Sequence, residues 1–137
     1  MVEIYVFGYN YKNKEYVPPQ IKKGAISPPP VKEKWKGNED NKLFSIVVYN
    51  EGRAEMAITI VIEFSPSIIR GWKIFNFGKM RIVDGGMIND RSVKLHIEKI
   101  EKKERLRIDF LVKTHSLKSL NANCREKKIE KIYFYVD

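Results

Sequence analysis

The sequence is poor in the side chains that carry most enzyme chemistry. It has one cysteine, Cys124, and two histidines, His96 and His115, among 137 residues. A single cysteine excludes an intramolecular disulfide and any metal site built from several thiolates. Nucleophilic catalysis needs a nucleophile, a base and an orienting group in one pocket. Neither the cysteine nor either histidine has a partner for such catalysis at a usable spacing in the sequence. We therefore expect a protein that is not an enzyme and that binds no cofactor and no metal.

Long apolar runs are also absent. No run approaches the roughly 18 residues that a membrane-spanning helix needs, and no signal-peptide pattern opens the chain. The chain begins abruptly with MVEIYVFGYNYKN, so we expect that any membrane contact is made through an anchor outside this sequence. Glutamine occurs once, at Gln20, whereas lysine, glutamate and isoleucine are abundant. This bias is typical of a thermophilic source, although AT-rich coding produces a similar one.

The length and charge of the chain describe one folded, basic domain. A chain of 137 residues supports one hydrophobic core and is short for two. The formal net charge is +9, and most of the excess follows residue 90, where basic residues are interleaved with glutamate. Interleaved signs usually mark a solvated face with ion pairs. The alternative is a basic patch for phosphates, whose candidate residues are Lys99, Lys102, Lys103, Arg105 and Arg107.

Apolar side chains recur at every second residue through most of the chain, which is the period of a β-strand. In the stretch Leu43 to Phe64, two such runs flank an Asn-Glu-Gly turn. We predict a β-hairpin there, with both apolar faces directed to a common interior. Turn signals at intervals of roughly 8–12 residues predict an all-β fold. The expected architecture is an antiparallel immunoglobulin-like β-sandwich of about seven to eight strands.

Residues 92–107 fit two patterns. Val93, Leu95 and Ile97 alternate as in a strand, whereas the charged residues that follow also have the i,i+4 spacing of ion pairs on a helix. Because the alternation is clear before and after this stretch, we predict a strand, a polar turn over residues 101–104 and a second strand.

Two segments precede the predicted sandwich within a single domain of residues 1–137. Residues 1–16 read as an N-terminal strand, residues 17–42 as a proline-rich connector or strap, and residues 43–137 as the sandwich core. The strap holds five of the six prolines, which favour extended chain along a surface. We expect Trp35 to anchor the strap on the sheet, and an exposed recognition tryptophan is the alternative.

The N-terminal strand places a row of aromatic rings on one side and Ile4 and Val6 on the other. Such a row either packs on a sheet or stacks on bases or sugars. If the last strand lies beside the first, its outward tyrosines extend the row. The candidate interaction surface then comprises Tyr5, Tyr9, Tyr11, Tyr133 and Tyr135.

Three patterns between Leu43 and Val112 resemble one family of sandwiches. VVYNEGRAEMAITIVIEF contains a V-x-N-x-G turn followed by a long alternating strand, and Gly71-Trp72 stands where the next strand begins. IEKIEKKERLRIDFLV is a strand, a charged turn and a strand, with Lys102-Lys103 where Pro-Gly is usual. Together they resemble the immunoglobulin-like sandwiches of the CARDB (cell-adhesion-related) type. The resemblance implies adhesion or scaffolding at a cell envelope, through a protein partner or self-association.

We therefore expect a non-catalytic protein-interaction or structural module, placed at a cell envelope. The alternative is a small basic nucleic-acid-binding protein, in which the basic residues meet phosphates and the aromatic rings stack on bases.

Overall fold

The computed structural model describes residues 2–20, 26–31, 35, 40–65, 67–77, 81–113, 119–124 and 131–135. The regular structure of these residues is entirely β. The strands are β1 (Val2–Lys12), β2 (Glu15–Val17), β3 (Asn41–Asn50), β4 (Glu55–Ser65), β5 (Ile69–Phe77), β6 (Arg81–Asn89), β7 (Ser92–Ile100), β8 (Arg105–Lys113), β9 (Ser119–Cys124) and β10 (Lys131–Tyr135).

The strands form two sheets. The larger sheet has the order β10-β1-β3-β8-β5, with the short β2 beside β1, and the smaller sheet has the order β6-β7-β4-β9. The pairings are antiparallel except for β1 with β10, which run parallel. The prediction of an all-β sandwich is confirmed. The described residues contain ten strands, against the seven to eight expected from the sequence.

The core lies between the two sheets and contains side chains from both. Phe64 of β4 contacts Phe44 of β3 and Phe110 of β8, with ring centroids 5.2 and 5.0 Å apart. Each fully buried aliphatic or aromatic side chain stabilises the fold by about 1.5–3 kcal/mol. The β1 strand lies between β10 and β3, and Ile4 and Val6 belong to this core. The sandwich core therefore includes the N-terminal strand and is not confined to residues 43–137.

The predicted hairpin from Leu43 to Phe64 is wrong in its pairing. β3 pairs with β1 and β8 in the larger sheet, whereas β4 pairs with β7 and β9 in the smaller one. The Asn-Glu-Gly turn therefore crosses from one sheet to the other. Both runs do face one interior, as predicted. A period of two is the same for strands that pair and for strands that face each other across a core, so the alternation alone did not distinguish them.

The segment of residues 92–107 is a strand, a turn and a strand, as predicted. β7 ends at Ile100 and β8 begins at Arg105, and the amide of Glu104 donates to the carbonyl of Glu101 at 3.1 Å. Lys103 has a φ of 63°, a left-handed conformation that glycine adopts most readily. The turn also crosses between the sheets.

Asn50 joins the two crossing turns. Its side chain is fully buried, and Nδ2 donates to the carbonyl oxygens of Arg53 at 2.6 Å and Ile100 at 3.0 Å. Its Oδ1 accepts from the amide of Gly52 at 3.2 Å, and its own carbonyl accepts from the amide of Lys103 at 2.6 Å. The asparagine of the V-x-N-x-G pattern thus holds the β3–β4 turn against the β7–β8 turn.

Replacement of this asparagine tests that role. We expect Asn50→Ala to lower the free energy of unfolding by about 2–4 kcal/mol, because buried carbonyl and amide groups lose their partners. The matched control is Asn89→Ala, at an exposed residue whose Oδ1 accepts only from the amide of Arg91 among the contacts described. It should cost less than about 1 kcal/mol. Urea unfolding followed by fluorescence measures both, and equal losses would contradict the assignment.

Candidate functional site

On β1 and β3 the outer face of the larger sheet is largely apolar, as the inner face is. Strand residues alternate between the faces, so the neighbours of the core residues on β1 and β3 point away from the smaller sheet. They form a second buried cluster, against which residues of the strap pack. The cluster comprises Tyr5, Phe7, Tyr9, Leu43 and Val47, with Tyr16, Ile26, Trp35 and Tyr49 packed on it. An apolar face of this size needs a cover, and the strap supplies part of it.

The strap is held on this face by a hydrogen bond and a ring contact. The Tyr9 hydroxyl donates to the carbonyl oxygen of Pro29. The ring of Trp35 lies against Gly71 of β5, where a Cβ atom would stand 3.0 Å from Trp35 Cζ3. The predicted anchoring role of Trp35 is confirmed, and it depends on the absence of a side chain at Gly71.

The contact between Trp35 and Gly71 can be tested by adding one methyl group. We expect Gly71→Ala to displace the Trp35 ring by a few tenths of an ångström, because such a close contact is rarely tolerated. The indole N–H resonance of Trp35 should shift in a ¹H–¹⁵N spectrum. The control is Gly86→Ala, where an added Cβ meets nothing within 4 Å. An unchanged Trp35 resonance in the first variant would contradict the contact.

A buried ion pair lies on the same outer face, within β8. Arg107 and Asp109 have side chains 1% and 0% exposed. Nε of Arg107 donates to Asp109 Oδ1 at 2.9 Å and Nη2 donates to Oδ2 at 2.8 Å. The guanidinium also lies 5.0 Å from the ring centroid of Phe75. The remaining nitrogen, Nη1, has no hydrogen-bond partner among the described residues.

A cavity of about 690 Å³ lies between the strap and this face. Pockets for small ligands and peptide side chains typically measure ~300–1,000 Å³. Its wall is mainly apolar, and the charged residues come from the β7–β8 turn and the start of β8. The lining residues are Ile26, Ser27, Pro28, Pro29, Pro30, Val47, Lys103, Glu104, Arg105 and Arg107. The geometry makes this cavity the candidate functional site.

The predicted tyrosine surface is corrected by the burial of two members. Tyr5 and Tyr9 are only 9% and 1% exposed, and the Tyr5 hydroxyl donates to Glu3 Oε2 at 2.6 Å. These rings pack on the sheet, which is the first of the two interpretations given for the aromatic row. Tyr11 is half-buried, with its ring centroid 5.1 Å from that of Tyr16.

The last strand does lie beside the first. Tyr133 pairs with Tyr5 and Tyr135 pairs with Phe7 in the parallel register of β10 with β1. The expected adjacency of the two strands is therefore present in the backbone. The side chains of Tyr133 and Tyr135 lie outside the described part of the structure.

The predicted basic patch is not one open surface. Lys99 lies in the smaller sheet, with Nζ 2.7 Å from Glu101 Oε1. Lys102 and Lys103 are exposed on the turn, and the Arg105 guanidinium lies 5.5 Å from the ring centroid of Tyr49. Arg107 is buried and paired with Asp109, which removes it from any contact with a phosphate backbone. Arg107 and Asp109 share a side of β8 because they are two residues apart, but the strand period does not show that this side is buried.

Of the residues considered for chemistry, His96 is the one whose side chain the structure describes. His96 is half-buried on the outward side of β7, with Nδ1 2.8 Å from Thr59 Oγ1. His115 and the side chain of Cys124 lie outside the described residues. Within the described ranges, no three His, Cys, Asp or Glu residues are grouped to hold a metal ion. None of the described segments is a helix of the length and apolarity needed to cross a membrane.

Two tyrosines near the strap have raised pKa values. Burial raises the pKa of Tyr9 far above its ordinary value, an effect that Arg107 opposes and Asp109 increases. Burial, together with Tyr11, raises the pKa of Tyr16 to about 12. The neutral forms are therefore favoured in the folded chain. The two neutral tyrosines contribute their full share of the free energy of unfolding below pH ~10, where tyrosine in the unfolded chain begins to ionise. This contribution is lost as the pH rises through the pKa of each tyrosine in the folded chain.

We accordingly expect the free energy of unfolding to fall between pH ~10 and ~12. Tyr16→Phe should reduce this fall, because the residue can no longer ionise in the unfolded chain. At pH 8 the same variant should be at least as stable as the wild type, since the Tyr16 hydroxyl is buried with no partner among the described residues. Urea unfolding at a series of pH values measures the slope, and identical slopes would contradict the expectation.

No protein-family model matches the chain, and no curated protein matches it either. The resemblance to the CARDB sandwiches therefore stays a prediction.

Proposed function

We propose that this β-sandwich is a non-catalytic protein-interaction module that binds a segment of its partner in the cavity beneath the strap. The observation that carries the proposal is the cavity of about 690 Å³ between the strap and the larger sheet. It combines an apolar wall with a few charged groups at one end, a composition typical of binding sites.

The surroundings of the cavity favour binding with little rearrangement. Its floor is a strand pair, β3 and β8, whose other side is packed in the sandwich core. Its cover is held by Tyr9 and by Trp35. A site that exists before the ligand arrives does not have to order its own side chains on binding, which lowers the free-energy cost of association.

The position of the module in the cell is part of the proposal. An adhesion or scaffold role at a cell envelope follows from the resemblance to the CARDB sandwiches, whose V-x-N-x-G turn corresponds to the Asn50 turn here. A nucleic-acid-binding role draws less support from the geometry. Its candidate cations are divided between two sheets, and Arg107 is buried.

Affinity selection from a pool of short random peptides with free termini tests the proposal. We expect enriched peptides to bind the wild type and Ser27→Ala with similar affinity. Ser27 is exposed on the strap and lines the cavity, so Ser27→Trp places a large ring in the cavity without changing the sheet. Binding to Ser27→Trp should be at least about tenfold weaker. Fluorescence polarisation measures each dissociation constant.

Two results would contradict the proposal. One is that no peptide is enriched, and the other is equal binding to Ser27→Trp and Ser27→Ala. Single-stranded DNA is the parallel probe, tested at ~0.05 M and ~0.2 M salt. Tight DNA binding that falls steeply with salt, and that weakens in Lys102→Ala, would favour the nucleic-acid role instead.

A further inference from the structure

We infer that the cavity binds the free C-terminal carboxylate of a partner protein, with the carboxylate at Arg107. The inference rests on the proposed function and names the chemistry that the same cavity recognises. Its basis is a pair of buried polar atoms without partners among the described residues, Arg107 Nη1 and Glu104 Oε2, both belonging to residues that line the cavity.

Arg107 is a buried cation with one donor group left open. Asp109 takes Nε and Nη2, which holds the guanidinium rigidly in the plane of that ion pair. Phe75 packs on the guanidinium, with its ring centroid 5.0 Å away. A buried N–H group without a partner is costly, and the cost is removed when a ligand oxygen accepts from it. A ligand oxygen at Nη1 therefore binds to a donor that is already in position.

The charges around the cavity favour a ligand with one negative charge. The lining carries Lys103, Arg105 and Arg107 against Glu104, and Asp109 neutralises Arg107 from behind. One net positive charge is left. A carboxylate carries a single negative charge, whereas a phosphate monoester carries about −1.5 to −2 at neutral pH. The carboxylate is thus the better match.

Glu104 supplies a complementary acceptor. Its Oε1 accepts from the amide of Glu101 at 2.7 Å, which fixes the side chain, while Oε2 is buried without a partner in the described part of the chain. Glu104 is the last residue of the turn and Arg107 lies three positions later in β8, which corresponds to about 10 Å of extended chain. An extended peptide with its carboxylate at Arg107 can therefore donate a backbone N–H to Glu104 a few residues earlier.

The strap favours a chain end over an internal segment. It crosses above the cavity and is held down by the hydrogen bond from Tyr9 to Pro29. An internal acidic segment continues in both directions and would have to turn back beneath the strap. A C-terminus bound with its carboxylate at Arg107 needs no such turn.

The test compares peptides recovered in the affinity selection in three chemical forms. These forms are the free C-terminal acid, the C-terminal amide, and an amide whose last residue is glutamate. We expect the free acid to bind the wild type at least about tenfold more tightly than either amide. Arg107→Lys should lose most of that preference, because a lysine paired with Asp109 has no second planar donor group. Lys102→Gln, on the same turn but outside the lining, is the matched control and should keep it.

A second variant covers the case in which Arg107→Lys does not fold. Glu104→Gln retains an oxygen for the amide of Glu101 and replaces the free acceptor with a donor, so binding of the acid should weaken about fivefold or more. Unfolding curves establish that each variant is folded.

The outcomes separate this inference from the proposed function. If acid and amide bind equally and Ser27→Trp blocks both, recognition of a carboxylate is overturned. The proposed protein-interaction role is then still supported. Equal binding of the acid and the glutamate amide overturns the C-terminal source. An unchanged preference in a folded Arg107→Lys variant, or unchanged binding of the acid by Glu104→Gln, overturns the assignment to this site. Peptides that bind equally to Ser27→Trp overturn the proposed function as well.

Discussion

The structure depends on burying both faces of the larger sheet. β1 and β3 carry apolar side chains on successive residues, so each strand presents one apolar row to the smaller sheet and another to the opposite side. Exposed strand faces of this kind lose the free energy of hydrophobic burial and invite aggregation. The smaller sheet covers the inner face. The strap, held through Tyr9 and Trp35, covers part of the outer face. The cavity lies between the strap and this face.

The buried ion pair on the outer face differs from the apolar cluster around it in its contribution to stability. A salt bridge removed from water contributes little net stability, because desolvation of the two charges offsets their attraction. Arg107 and Asp109 are therefore poorly explained as stabilising elements alone. One guanidinium nitrogen of Arg107 is buried without a partner among the described residues, and Arg107 lines the cavity, an arrangement consistent with the binding role proposed above.

Much of the fold could be predicted, because it depends on local patterns. The alternation of Val93, Leu95 and Ile97 outweighed the helical spacing of the nearby charges. The prolines and Trp35 identified the strap and its anchor. The pairing of β3 with β4 was mispredicted, because the alternation of apolar residues is the same for two strands paired in one sheet and for two strands that face each other across the core. The exposed tyrosine surface was mispredicted at Tyr5 and Tyr9, because the alternation of a strand does not show whether its second face is covered.

The sequence by itself determined that the chain is built of strands, where most of them begin and end, and which residues of each strand share a side, because these properties follow from a period of two along the backbone. The tertiary structure decided which strands are neighbours, which side of the larger sheet the strap covers, and that the side of β8 shared by Arg107 and Asp109 is buried rather than exposed in a basic patch. These outcomes depend on contacts between residues far apart in the chain, and no local pattern records which distant partner a side chain meets.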